Sequence, residues 1–207
     1  MCGIVGIYLK SKKFEKSLGG MLSKMLVSME SRGPDSAGFA IYNSDKNKIY
    51  KYSICLNEMS FEKFKKEIKN KVKIKNIEKN SDHVILKSNE KPNKILPILE
   101  DFSTISLVGY GKSIEIFKQV GNPRTVVKKF NLDSFSGTHG IGHTRMATES
   151  AITTDGSHPY STGEDECLVH NGSLSNHNNL RRKLKKSGSK FSSDNDTEVA
   201  AGYISDS

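Results

Sequence analysis

A cysteine directly follows Met1, and behind it runs Gly3-Ile4-Val5-Gly6-Ile7. No other feature constrains the fold as tightly. Residues 3–9 (GIVGIYL) read as a short buried strand, with Gly3 and Gly6 allowing close backbone approach, so Cys2 stands one residue ahead of a core element. Methionine beside a small residue such as cysteine is readily removed, and Cys2 would then be the terminus. Its α-amine, ordinarily near about 7.8, and its thiol, ordinarily near about 8.5, would share one residue. That pairing of base and nucleophile is self-activating. Position alone favours a plainer account, an incidental cysteine at a frayed end; the rest of the chain reverses it.

The chain has 207 residues, which suits one domain, with or without an insertion, and is enough to bury a core. Its net charge of +9 raises the question of nucleic acid. Between Phe61 and Lys79, however, eight lysines stand against three glutamates and supply more than half of that charge. Arginine and interleaved aromatics are scarce there, so the stretch reads as a solvated lysine face, and no nucleic-acid partner is expected. The three cysteines, Cys2, Cys55 and Cys167, form no CxxC pair and are odd in number. Neither a disulfide framework nor a cysteine-built zinc site is indicated, and a reducing cytoplasm fits. No apolar run approaches membrane-spanning length, and the N-terminus lacks the basic and apolar segments of a signal peptide.

Met21, Leu22, Met25, Leu26 and Met29 recur at helical spacing, giving an amphipathic helix over about 19–30. Ser31-Arg32-Gly33-Pro34-Asp35-Ser36-Ala37-Gly38 breaks it as a tight loop. Strands follow at about 38–43 and 48–55. Residues 58–132 differ in character: a lysine run, a strand at 83–87, a helix near 93–100, a strand at 104–109 and a helix near 123–130. This stretch reads as an inserted subregion. From Gly137 glycine-rich turns alternate with short apolar runs, with strands at 139–146 and 166–170 and a helix at 175–187 that stops at Gly188. Asn195-Asp196-Thr197-Glu198 has capping-box spacing and opens a last helix.

Five ordered blocks carry the chemistry: Cys2-Gly-Ile-Val-Gly-Ile, Ser31-Arg-Gly-Pro-Asp-Ser-Ala-Gly, Gly142-His-Thr-Arg-Met-Ala-Thr, His170-Asn-Gly-Ser-Leu-Ser-Asn-His and Asn195-Asp-Thr-Glu. In this order they resemble the class II glutamine amidotransferases, a branch of the N-terminal nucleophile hydrolases, over roughly residues 2–43 and 137–204. The wording of the later blocks is similar to the amidotransferase subunits of glutamate synthase and N-methylglutamate synthase-like complexes. The resemblance implies an α+β fold, a four-layer αββα sandwich. Residues 1–207 are then one type 2 amidotransferase domain with an inserted lysine-rich subregion at about 58–132. Later strands and helices of that fold are missing beyond the Asp-Thr-Glu helix, so the domain is expected to be incomplete at its C-terminus.

The implied activity is hydrolysis of L-glutamine to glutamate, with ammonia supplied to a synthase partner. Cys2 is the implied nucleophile, with Asn171 and Gly172 as oxyanion donors. Arg145 is the implied clamp for the substrate α-carboxylate, Thr148 a further hydrogen-bonding position and Asp196 the partner of the α-ammonium group. Arg32 resembles the motif arginine that holds the N-terminal segment. Taken alone, Asn171-Gly172 would read as a hairpin turn and Asp196 as a helix-start acid. His139 and His143 are four apart, but Gly140 and Gly142 argue against a helix, so no metal site and no cofactor are expected, and supporting roles suit His143, His158 and His170. Alternatives remain: a non-catalytic binding or assembly subunit that keeps the fold, an amidotransferase of the hexosamine or purine pathways, or an acylase. The last has no need of Arg145 with Asp196.

Overall fold

The period-two pattern of Ser36–Tyr42 divides its side chains between two seams. Phe39 and Ile41 face one way into helices, while Ala40 and Tyr42 face the other way into a second sheet. The computed structural model describes residues 2–43, 49–147 and 151–205. Its strands are β1 (Gly3–Tyr8), β2 (Ser36–Tyr42), β3 (Tyr50–Cys55), β4 (Asn76–Asn80), β5 (His83–Ser88), β6 (Ser106–Gly111), β7 (Ile114–Val120), β8 (His139–Arg145), β9 (Tyr160–Gly163) and β10 (Glu166–Leu168). Its helices are α1 (Leu18–Ser28), α2 (Phe61–Lys71), α3 (Pro92–Glu100), α4 (Pro123–Lys129), α5 (His177–Lys186) and α6 (Asp196–Ser205).

Two antiparallel sheets carry the fold, one in the order β1-β8-β2-β7 and one in the order β4-β5-β3-β6. Leu18, Leu22 and Leu26 of α1 and Val126 and Val127 of α4 pack on Val5, Phe39, Ile41 and Phe117 of the first sheet. Phe64 and Ile68 of α2 and Ile95 and Leu99 of α3 pack on Tyr52, Ile54, Val84 and Leu86 of the second. Between the sheets lie Ala40, Ile114 and Ile116 against Cys55 and Val108. The order helix, sheet, sheet, helix is the four-layer sandwich expected from the sequence. A β9–β10 hairpin and the α5–α6 pair flank it on one side. Among the described residues no helix is long and apolar enough to cross a membrane.

The stretch 58–132, expected as an inserted subregion, contributes strands to both sheets. It supplies β4, β5 and β6 of the second sheet and β7 of the first, where Ser36 to Tyr42 pair with Val120 to Ile114. Ser53 Oγ of β3 also accepts the Ile116 N–H at 3.0 Å, tying the sheets together. The lysine run becomes α2, whose Ser60 side chain caps the Lys63 N–H and whose Phe64 and Ile68 bury one face. The lysines around them occupy the remaining faces of the helix.

Candidate active site

β1 pairs with β8 from Gly3↔Thr144 to Tyr8↔His139, so the start of one strand meets the end of the other. Cys2 therefore lies beside Arg145 and Met146, and its Sγ stands 3.9 Å from the Met146 carbonyl oxygen. The motif loop after α1 lies against the same strand end. A Cβ on Gly33 would come within 2.4 Å of the Thr144 carbonyl carbon, so only glycine permits this approach. Asp35 then clamps the segment from both sides. Its N–H donates to the Arg145 carbonyl at 3.0 Å, and its Oδ2 accepts the Ala147 N–H at 2.8 Å.

The opposite wall comes from residues 170–178 and the start of α6. Asn171 Nδ2 donates to the Cys2 carbonyl oxygen at 3.1 Å. Asp196 Oδ2 accepts the Leu174 N–H at 2.6 Å, which fixes the loop after Gly172 to the first turn of α6. Arg181 reaches from α5 and donates to the carbonyls of Ser193 at 2.6 Å and Asn195 at 3.0 Å. Between the walls is a cleft of 330 Å³ lined by Cys2, Arg145, Gly172 and Asp196, with His170, His177 and Arg181 among its other walls. A larger cavity of 480 Å³ lies behind α6 against Lys118 and Tyr160, but no thiol opens into it. The smaller cleft is the candidate site because a thiol, a guanidinium and a carboxylate meet there.

Of the residues singled out from the sequence, Cys2, Arg145, Gly172 and Asp196 share this cleft, and Asn171 is hydrogen-bonded to Cys2. Arg32 is exposed on the turn Glu30–Arg32, outside the cleft lining. Thr148 lies outside the described residues. His177, Asn178 and Arg181 line the cleft without having been singled out for it. Their signal was the spacing of His177 and Arg181, one helical turn apart on the same face.

The histidines behind the cleft form an uncharged backing. His143 and His158 stack with ring centroids 3.9 Å apart. Burial pushes the His143 pKa down to about 4 and that of His158 well below the ordinary histidine value. Arg145 stands on the Cys2 side of the cleft, and Arg181, Asp194 and Asp196 on the other. Among the described residues, Cys55, Asp82 and His83 bring possible metal-ligand atoms within 4.8 Å of one another. Asp82 there already bonds Lys129 Nζ at 2.8 Å and His83 Nδ1 at 2.9 Å, and an ammonium group at that distance opposes a cation.

The fold and the cleft define a class II glutamine amidotransferase domain of the N-terminal nucleophile type. The fold is shared with the allosteric regulatory enzyme of purine biosynthesis, at a TM-score of 0.55 and 18% identity over 97% of this chain and 28% of that one. Residues 133–205 match the family model described as a glutamine amidotransferase domain. The chain belongs to the glutamine amidotransferase family: it is 47% identical over 208 residues to the glutamine amidotransferase-like protein GlxB of Rhizobium meliloti, covering 99% of this chain and 69% of that protein. It is also 37% identical over 125 residues to the glutamine–fructose-6-phosphate aminotransferase of Methanococcus maripaludis, a match that spans 56% of this chain and 20% of that enzyme.

Proposed function

We propose that this chain hydrolyses the side-chain amide of L-glutamine, using Cys2 as an N-terminal nucleophile, and passes the ammonia to a synthase partner of glutamate-synthase type. Once Met1 is removed, the Cys2 α-amine accepts the thiol proton and the thiolate attacks the carboxamide carbon. Negative charge grows on the carboxamide oxygen. Asn171 has two amide N–H groups; one is used on the Cys2 carbonyl, which orients the side chain, and the other serves the oxyanion together with the Gly172 N–H. Collapse breaks the C–N bond, and the α-ammonium returns its proton to the leaving amine, giving ammonia and a γ-glutamyl thioester. Water attacks the thioester, and glutamate leaves as the thiol is restored.

Selection of a free amino acid needs a grip on both of its charged groups. Arg145 serves the α-carboxylate, with Thr148 as a further hydrogen-bonding position, and Asp196 serves the α-ammonium. Arg32 is assigned to holding the N-terminal segment. One observation carries the reading: the Asn171 amide bonds the Cys2 carbonyl at 3.1 Å across a cleft that Arg145 and Asp196 also line. The likeness to a fructose-6-phosphate aminotransferase supports a second reading of the acceptor, a sugar phosphate in place of a glutamate-synthase-type partner.

The test is a glutaminase assay with intact-mass analysis. The purified protein is expected to lack Met1 and to release glutamate and ammonia, and Cys2→Ala to lose at least about 10³-fold in kcat. Turnover that survives in Cys2→Ala, or activity in a protein that retains Met1, rejects the mechanism.

A further inference from the structure

Gly172 does not adopt the positive φ that ordinarily calls for glycine. A neighbour demands it instead. A Cβ at this position would lie 2.6 Å from Nε2 of His170 and 3.1 Å from its Cε1, so the imidazole occupies the space a side chain at 172 would need. His170 is itself held at two points. Its ring Nδ1 is 3.3 Å from Thr197 Oγ1, and its carbonyl is 3.0 Å from His143 Nε2. A carbonyl only accepts, so His143 carries its proton on Nε2 and donates it there. Both anchors are fixed. His143 is fully buried on β8 and stacked on His158, and Thr197 is 2% exposed in the first turn of α6, with its N–H on Asn195 Oδ1 at 2.9 Å. The two anchors stand on the two sides of the cleft, the Cys2 side and the Asp196 side.

We infer that His170 is a positioning residue: braced between His143 and Thr197, its ring sets the direction of the Gly172 N–H, and residue 172 is glycine in order to admit that ring. The inference rests on the reading of Gly172 as an oxyanion donor. Its consequence is a split in the kinetics. Loss of the ring leaves Arg145 and Asp196 in place, so binding of glutamine in its ground state is untouched. The donor to the oxyanion is no longer held in line, and the loss falls on the transition state.

The experiment compares wild type with His170→Ala, His170→Gln, Gly172→Ala and the His170→Ala/Gly172→Ala double variant. His170→Ala is expected to lower kcat for glutamine by about 10–100-fold with KM within about threefold of wild type. His170→Gln, which keeps a polar side chain in reach of Thr197, should recover at least part of that loss. Gly172→Ala should lower Tm in the wild-type background, and by clearly less once the ring is gone, because the clash is with the ring. A His170→Ala kcat within twofold of wild type overturns the inference, as does a KM that rises in step with the fall in kcat. A wild type that releases no glutamate sinks the glutaminase reading alone. The Tm cycle needs no turnover, and an equal Tm loss from Gly172→Ala in both backgrounds then overturns the role given to His170.

Discussion

Three thiols sit in three different settings. Cys55 is 2% exposed, and burial raises its pKa to about 11. Burial likewise raises Cys167 to about 11, with its Sγ 3.4 Å from the Tyr42 hydroxyl. Cys2 alone opens into the cleft. Thiolate is the reactive form, so iodoacetamide at pH 7.5 is expected to add one group per folded chain, located by peptide mapping at Cys2. Labelling at Cys55 or Cys167 with equal speed would contradict the burial described for them. At this scale much of the candidate site was legible: Cys2, Asn171, Gly172, Arg145 and Asp196 stand in short motifs, and the fold brings them to one cleft or its edge. Asp35 was legible as part of a motif but not in its role. What it does, clamping Arg145 and Ala147, depends on two backbone positions more than a hundred residues away that no local pattern reveals. Asp35→Ala removes the acceptor of the Ala147 N–H and is expected to raise KM for glutamine by about tenfold while costing about 1–2 kcal/mol in denaturant unfolding.

Among the elements, the strands with alternating apolar residues were read to within about two residues, and so were the helices with leucine or capping signals. Helix α2 was not read, because its charges outnumber its apolar positions and only Phe64 and Ile68 are fully buried. Strand β7 was missed for a related reason. Its Glu115 and Lys118 break the apolar run, yet Lys118 is 5% exposed and bonds the carbonyls of Asp155 at 3.1 Å and Ser157 at 2.9 Å. Lys118 is an interior tie, and only tertiary structure supplies the carbonyls that make that possible. Phe64→Ala in α2 is expected to destabilise the fold by about 3–5 kcal/mol, measured by urea unfolding. The glutaminase kcat per folded molecule should not change, since no residue of α2 lines the cleft. Arg181→Ala acts differently: it strips the donors from Ser193 and Asn195, slackens the approach to Asp196, and should raise KM more than it lowers kcat.

The whole molecule answers to pH through its buried bases. His143 titrates at about 4 when folded and His158 well below its ordinary value, so an unfolded chain binds protons that the folded one refuses between roughly pH 4 and 6.5. Stability therefore falls as pH drops through that window. Lys118 works at the other end. Burial lowers its pKa to about 8 against an ordinary value of 10.5, so the unfolded chain holds the extra proton between those values and stability rises with pH across them. Melting curves of wild type and Lys118→Met from pH 7 to 11 should diverge in wild type's favour by up to about 3 kcal/mol at the alkaline end. Parallel curves would mean that Lys118 is not the group responsible.

The two halves of the sandwich carry unequal duties. Among the described residues no side chain between Ser36 and Thr144 lines the cleft, so the second sheet and its two helices serve as a buttress for the candidate site. Natural sequence drift should therefore run fastest in that buttress, where only packing is policed. The dense lysines between residues 61 and 79 mark such a place: a surface open to adaptation to salt, temperature or crowding while the catalytic wording stays fixed.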